Sequence, residues 1–471
     1  MPIYTVQSGD NLWRIARQFG VGPERIVAAN ELAEPGRLAV GQTLYVPPPY
    51  PLHEVQQGET LAAIASRYGV TADAIARANG IANPGSIAPG QVLVIPALYH
   101  TVQRGDTLWR IAQRYGVQPQ AIQQANNIAA PAIIYEGQTL RIPERPKPVI
   151  EVNAYVARFG EEGAELVRRD GIHFTYVCPF AYRIRSDGGL TPVDDEPLIA
   201  AAYERRVVPL LAITNFSSTE AGSQLAHTIL TSEALKEELM ANALAVMQEK
   251  GYLGLNVDFE NVLPEDREAY NQFLRLAAEQ LHPHGYSLST ALAPKTGPNQ
   301  KGLLYEAHDY PAHGEITDFV VLMTYEWGYR AGPPQPISPI NEIRRVLDYA
   351  VTVIPPRKIL MGFQLYARDW LLPHVQGQTA ETFSMQEALR RALQYGVEIR
   401  FDTKSQTPYY RYTDAQGRAH EVWFEDARSA QAKFDLVKEY GLRGVCYWEL
   451  GYPFPQNWAL LEANFTVRKL L

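Results

Sequence analysis

Between Gly251 and Val262 the chain reads Gly-Tyr-Leu-Gly-Leu-Asn-Val-Asp-Phe-Glu-Asn-Val. With the two-residue period of a strand, Leu255, Val257 and Phe259 fall on one face, and Asn256, Asp258 and Glu260 on the other. The apolar face calls for a cover of helices. The other cannot be ordinary core, because burying unpaired charge is costly. A parallel barrel satisfies both: the apolar phase meets an outer ring of helices, and the polar phase points into the lumen near the C-terminal mouth. On that placement Glu260 is a candidate catalytic acid.

The chain around this stretch fits such a barrel. Strand-like runs over Val149–Val156, Ile172–Cys178, Val207–Thr214, Leu253–Glu260, Tyr286–Ala293, Asp318–Tyr325, Lys358–Tyr366 and Gly444–Glu449 alternate with helical stretches such as Ser232–Lys250, Pro264–Leu281 and Ser338–Val353. That alternation predicts an α/β fold, a (β/α)8 TIM barrel over 149–471. After the seventh strand, residues from about 370 to 425 read as a small α+β insertion, with a helix over Ser384–Tyr395 and a hairpin over Pro408–Thr413 and His420–Phe424. The polar or aromatic residues at strand ends form a set expected at one mouth: Asn153, Tyr155, Asn215, Asn256, Asp258, Glu260, Met323, Tyr325, Gln364, Tyr366 and Trp448.

Before the Pro-rich linker Pro143–Pro148 lies a threefold repeat, over 1–48, 52–97 and 99–144. Each copy carries Val-Gln-x-Gly-Asp/Glu, then Leu, Ile-Ala, Gly, Asn, Gly-Gln and a closing Pro at matching positions. The order strand, helix, helix, strand is expected in each. Asp10, Glu59 and Asp106 are expected to cap or charge the first helix, and Pro23 and Pro119 to open the second.

The net charge of −8 argues against nucleic acid and anionic membrane as partners, and no apolar run is long enough to span a bilayer. Two cysteines, Cys178 and Cys446, fall on the second and eighth strands and are expected as free buried thiols. The ten histidines show no ligand spacing, so neither a metal nor a cofactor is expected. The N-terminus lacks the basic and apolar regions of a secretory signal, and synthesis in the cytosol is expected. Oligomeric state has no signal in the sequence.

Each repeat resembles the LysM module over its whole length, which implies binding of N-acetylglucosamine glycans, chitin or peptidoglycan. Leu253-Gly-Leu-Asn-Val-Asp-Phe-Glu260 resembles the Asp-Gly-x-Asp-x-Asp-x-Glu signature of glycoside hydrolase family eighteen, the chitinase-like barrels. Leu322-Met-Thr-Tyr-Glu326 is similar to that family's Met-x-Tyr motif, and Trp448 stands at its eighth-strand Trp. With LysM modules in front, the chain resembles the spore-germination branch, N-acetylglucosaminidases that degrade spore cortex fragments and are spore-associated. The resemblance implies substrate-assisted catalysis. In it Glu260 is the acid, Asp258 orients the acetamido group and its charge keeps Glu260 protonated, Tyr325 donates to the acetamido oxygen, and Trp448 floors the sugar. Asn256, Tyr155, Asn215, Met323, Gln364 and Tyr366 complete the substrate-facing set. Leu253 and Asn256 stand where the signature has Asp. With only an amide as partner, Asp258 is expected to stay ionised more of the time. Glu326, out of phase with Tyr325, is expected to clasp a loop. A chitinase, or a barrel kept as a glycan-binding lectin, is the alternative reading.

Overall fold

The computed structural model describes residues 3–81, 83, 85–216 and 222–471. Two compact units are present. One contains Trp13–Ile26 and Val46–Lys147; the other contains residues 3–12, Val27–Tyr45 and Pro148–Leu471.

In the first unit, the second and third repeats each run strand, helix, helix, strand, and the two strands of each copy pair antiparallel. The first repeat has the same order, Ile3–Thr5, Leu12–Phe19, Pro23–Asn30 and Thr43–Tyr45. Small modules like these bury little surface, so polar clasps matter. The repeated Asn is one such clasp. Asn79 Nδ2 donates to Val94 O and its Oδ1 accepts from Val94 N, both at 2.8 Å. Asn126 does the same with Arg141 at 2.7 Å, and Asn30 with Tyr45 at 2.8 Å. Each therefore ties the end of the second helix to the closing strand.

The repeated acid is not the helix cap. Thr60 and Thr107 cap the first helices of copies two and three. Glu59 and Asp106 instead accept from the backbone N–H of Gln56 and Gln103 (2.8 and 2.9 Å) and pair with His53 and His100 (2.7 Å each). A threonine hydroxyl one residue later reaches the free N–H groups of the first turn, which leaves the carboxylate to brace the preceding turn.

The barrel strands are β1 Val149–Val156, β2 Tyr176–Pro179 continued by Tyr182–Arg183, β3 Val208–Pro209 with Leu211–Thr214, β4 Gly254–Asp258, β5 Ser287–Leu292, β6 Phe319–Leu322, β7 Ile359–Gln364 and β8 Gly444–Trp448. Every neighbouring pair is parallel, and β8 returns to β1 through Cys446↔Asn153, so the ring closes. The longest helix, Glu233–Lys250, is capped by Ser232 and ends at Gly251, whose left-handed φ of 80° turns the chain into β4. At the foot of β4, a Cβ on Gly254 would lie 2.3 Å from Ser287 Oγ, so only glycine lets β5 approach there. Leu255, Val257 and Phe259 pack outward against Phe273, Leu274 and Ala277 of the covering helix, as their period requires. Each such side chain contributes about 1.5–3 kcal/mol on full burial. Inside the ring, Tyr176, Cys178, Leu210, Phe319, Leu360 and Cys446 fill the floor. Both thiols are free and buried, with Asn153 between them.

The insertion is larger than its sequence suggests. It begins at Tyr366, not near 370, as a five-stranded antiparallel sheet ordered Glu381–Ser384, Tyr366–Leu372, Ala419–Trp423, Thr407–Thr413, Arg400–Asp402, with the helix Met385–Tyr395. The chain stays extended as it leaves β7, so a period of two carries no mark of the change of sheet. Among the described residues no helix is long and apolar enough to cross a membrane.

Candidate active site

Asp258 is the last ladder residue of β4, opposite Thr214 of β3, and Glu260 lies two residues beyond, past the strand's end. The backbone that carries them is held from both sides. Asn215, just past β3, donates from Nδ2 to Glu260 O (2.7 Å) and accepts at Oδ1 from Glu260 N (2.9 Å). From the β5 side, His308 donates through Nε2 to Phe259 O (2.9 Å) while its Nδ1 accepts from Ala293 N (2.8 Å). Those two bonds define the neutral tautomer, and burial lowers the ring's pKa to about 4.

The mouth of the barrel is a cleft of about 770 Å³ whose walls include Asp258, Glu260, Tyr155, Met323, Tyr325 and Trp448. Asp258 is buried, and its Oδ1 has no hydrogen-bond partner among the described residues. Burial raises its pKa to about 7. Glu260 is raised to about 8, first by burial, then by the charges of Asp258 and Glu326. The expected pattern changes in one respect: desolvation, more than the neighbouring charge, keeps Glu260 protonated. Burial also favours the neutral form of Asp258, because the lumen excludes water and, among the described residues, offers its Oδ1 no donor.

Asn256 does not partner Asp258. Its Oδ1 accepts from Tyr155 Oη and its Nδ2 donates to Ser289 Oγ, each at 2.9 Å. Fully buried, it stands below the cleft as a brace under Tyr155. Tyr155, Phe180 and Trp448 meet edge to face, with centroids 4.7–5.6 Å apart. The Tyr325 hydroxyl is kept neutral by burial, above all, and so remains a donor. Its ring has room because residue 362 is glycine: a Cβ there would lie 2.8 Å from Tyr325 Cε1 and 2.5 Å from Leu322 O.

Three other residues of the expected substrate-facing set are turned away from the cleft. Asn215 is spent on the Glu260 backbone. Gln364 is buried and donates to Glu425 (2.9 Å), which pairs with Lys433 (2.7 Å) behind the wall. Tyr366 opens the insertion sheet and donates its hydroxyl to Glu326. Glu326 also takes Arg368 through both guanidinium nitrogens (2.8 and 2.7 Å), so it clasps the insertion to the loop after β6. All three turn away because a polar group at a buried strand end takes the nearest protein partner. The cleft wall in turn contains Phe180, Arg183, Phe216, Tyr305 and Trp327, which strand-phase reasoning did not select. Phe180, Phe216 and Trp327 sit one to five residues past a strand's C-terminal end, and position just beyond the strand was the signal that could have found them.

Two carboxylates that exchange protons near neutral pH, beside a neutral phenol and an aromatic wall, suit acid catalysis on an uncharged ring substrate. Comparison with known proteins agrees. The chain matches the model for "Glycosyl hydrolases family 18" over residues 212–452, and that for the "LysM domain" over 4–47, 53–96 and 100–143. It is 46% identical over 329 residues to the cortical fragment-lytic enzyme of Bacillus subtilis (strain 168), covering 69% of this chain and 76% of that one. The crystal structure of the Bacillus megaterium QM B1551 spore cortex-lytic enzyme SleL is similar over 100% of this chain and 99% of that one, with 37% identity and a TM-score of 0.80. A chitinase from Chromobacterium violaceum ATCC 12472 matches 67% of this chain and 98% of its own, at 26% identity and a TM-score of 0.62. On the site, the barrel and these matches together, the chain belongs to glycosyl hydrolases family 18 and is a glycoside hydrolase carrying three LysM domains.

Proposed function

We propose that this protein hydrolyses N-acetylglucosaminyl bonds in spore cortex peptidoglycan, with retention of configuration and with the substrate's own acetamido group as nucleophile. The observation that carries the reading is the presence of Asp258 and Glu260 together in the wall of a cleft lined by aromatic rings. The names of its relatives, a cortical fragment-lytic and a spore cortex-lytic enzyme, point to the polymer. Association with the spore follows from the same relatives.

Glu260 in its acid form gives its proton to the leaving glycosidic oxygen. The acetamido carbonyl oxygen bonds to the anomeric carbon on the opposite face, forming a cyclic oxazolinium ion. Asp258, ionised, accepts the acetamido N–H at the oxygen that has no protein partner and offsets the positive charge. Tyr325 donates to the acetamido oxygen and holds the attack geometry. Trp448 lies under the sugar, with Met323 and Tyr155 beside it. Water, deprotonated by Glu260, then opens the ion, and the configuration is retained. A substrate without the 2-acetamido group has no nucleophile and is not cleaved. The LysM modules raise the local glycan concentration by tethering.

Incubation with cortex fragments and with chitin oligomers, followed by mass spectrometry, tests this. Products with N-acetylglucosamine at the new reducing end are expected from cortex, and Glu260→Gln should lower the rate by at least about 100-fold. Cleavage of chitin alone would make the protein a chitinase. No cleavage of either, with Glu260→Gln indistinguishable from wild type, would leave a glycan-binding barrel.

A further inference from the structure

The cleft is acidic and aromatic, with Asp258, Glu260 and Glu326 in its wall, and Arg183 is the exception. Among the described residues that line it, Arg183 alone is a lysine or arginine. Three other arginines near the mouth are committed to carboxylates: Arg158 to Glu162, Arg185 to Asp187 and Arg368 to Glu326. The Arg183 guanidinium is exposed and pairs with no acid among the described residues. Its position is well defined, because Arg183 ends β2, opposite Thr214 of β3, and Thr214 in turn lies opposite Asp258 of β4. Two strand spacings separate the Arg183 and Asp258 Cα atoms, roughly 10 Å. That spacing lets the guanidinium reach a sugar adjoining the one at the acids.

A neutral glycan such as chitin offers a cation at this place only hydroxyl and amide oxygens, and no charge. Peptidoglycan offers a charge wherever its muramyl sugar keeps a lactyl ether whose carboxyl group is free or extended by a short acidic peptide. A carboxylate entering beside ionised Asp258 is repelled unless a cation compensates, and an arginine fork suits a carboxylate better than any other side chain. We infer that Arg183 is a specificity residue that binds a carboxylate on the muramyl sugar next to the scissile linkage, and so favours peptidoglycan over chitin. The inference rests on the proposed peptidoglycan activity and deepens it.

The test compares wild type, Arg183→Gln and Arg183→Lys on three substrates. These are muramyl oligosaccharides with free lactyl carboxylates, the same oligosaccharides bearing stem peptides, and neutral chitin oligosaccharides. The readout is the ratio of kcat/KM on each anionic substrate to that on chitin. Arg183→Gln is expected to lower this ratio about tenfold at low salt, the scale of one hydrogen bond to a charged group. The change should lie in KM, shrink as salt is added, and be smaller in Arg183→Lys. Loss confined to the peptide-free substrate assigns the lactyl carboxylate; loss confined to the stem-bearing one assigns the peptide. Amidating the carboxylates should erase the difference between wild type and variant. An unchanged ratio, with wild type active on muramyl substrates, overturns the role of Arg183 and leaves the proposed activity standing. Wild type active on chitin alone overturns both.

Discussion

At the scale of single residues, the proposed mechanism depends on two carboxylates that must hold opposite protonation states. Glu260 acts only while protonated, so its contribution is lost as pH rises through its raised value, about 8. Asp258 acts only while ionised, so its contribution is lost as pH falls through its raised value, about 7. The expected kcat/KM profile is a narrow bell between neutral and mildly alkaline pH, measurable on a soluble chromogenic N-acetylglucosaminide. Asn256→Asp should move the acid limb upward. A carboxylate roughly 6–7 Å below Asp258 on the same strand face adds a like charge that favours protonation of Asp258. A broad plateau from pH 5 to 9, or an acid limb unmoved in the variant, would contradict this arrangement.

At the scale of elements, the site is made by what each strand does to its neighbour. The end of β3 holds the exit of β4 through Asn215, and the loop after β5 holds it through His308. Glu260 thus sits on backbone that is fixed although it lies beyond the ladder. Asn215→Ala removes both bonds and leaves the Glu260 N–H and C=O to find water. We expect kcat to fall about tenfold or more with KM within about twofold, since a loosened acid is misplaced in the transition state more than in the ground state. Stability should fall by about 1–3 kcal/mol in a denaturant titration. A variant with altered KM and normal kcat would mean that Asn215 touches sugar after all.

At the scale of the whole molecule, the insertion sheet is fastened to the barrel by a buried polar chain. Gln364 of β7 bonds Glu425, and Glu425 pairs with Lys433 on the helix Ala427–Tyr440, with both charged side chains at most 1% exposed. Lys433→Met leaves the Glu425 charge without its ion partner and should cost about 3–5 kcal/mol. Adding Glu425→Leu should recover most of that loss, and thermal unfolding of the single and double variants measures it. If the single variant melts with wild type, the Glu425–Lys433 pair does not fasten the insertion.

The local pattern was enough for the three modules, the eight-stranded barrel, the outward set of Leu255, Val257 and Phe259, and the nomination of Asp258, Glu260, Tyr325 and Trp448 for the mouth. Those features repeat along the chain with a period set by backbone geometry, so a run of residues carries them without reference to its neighbours. What needed the tertiary structure was the partner of each polar side chain. Asn215, Asn256, Gln364 and Tyr366 share the strand-end phase of the cleft residues, yet each bonds to a group on another strand, on the loop beyond one, or on the insertion. Arg183 and Phe216 reach the cleft from positions no period marks. Whether a strand-end group meets substrate or protein is decided by which donor or acceptor stands nearest in space, and that distance is set only when the ring closes.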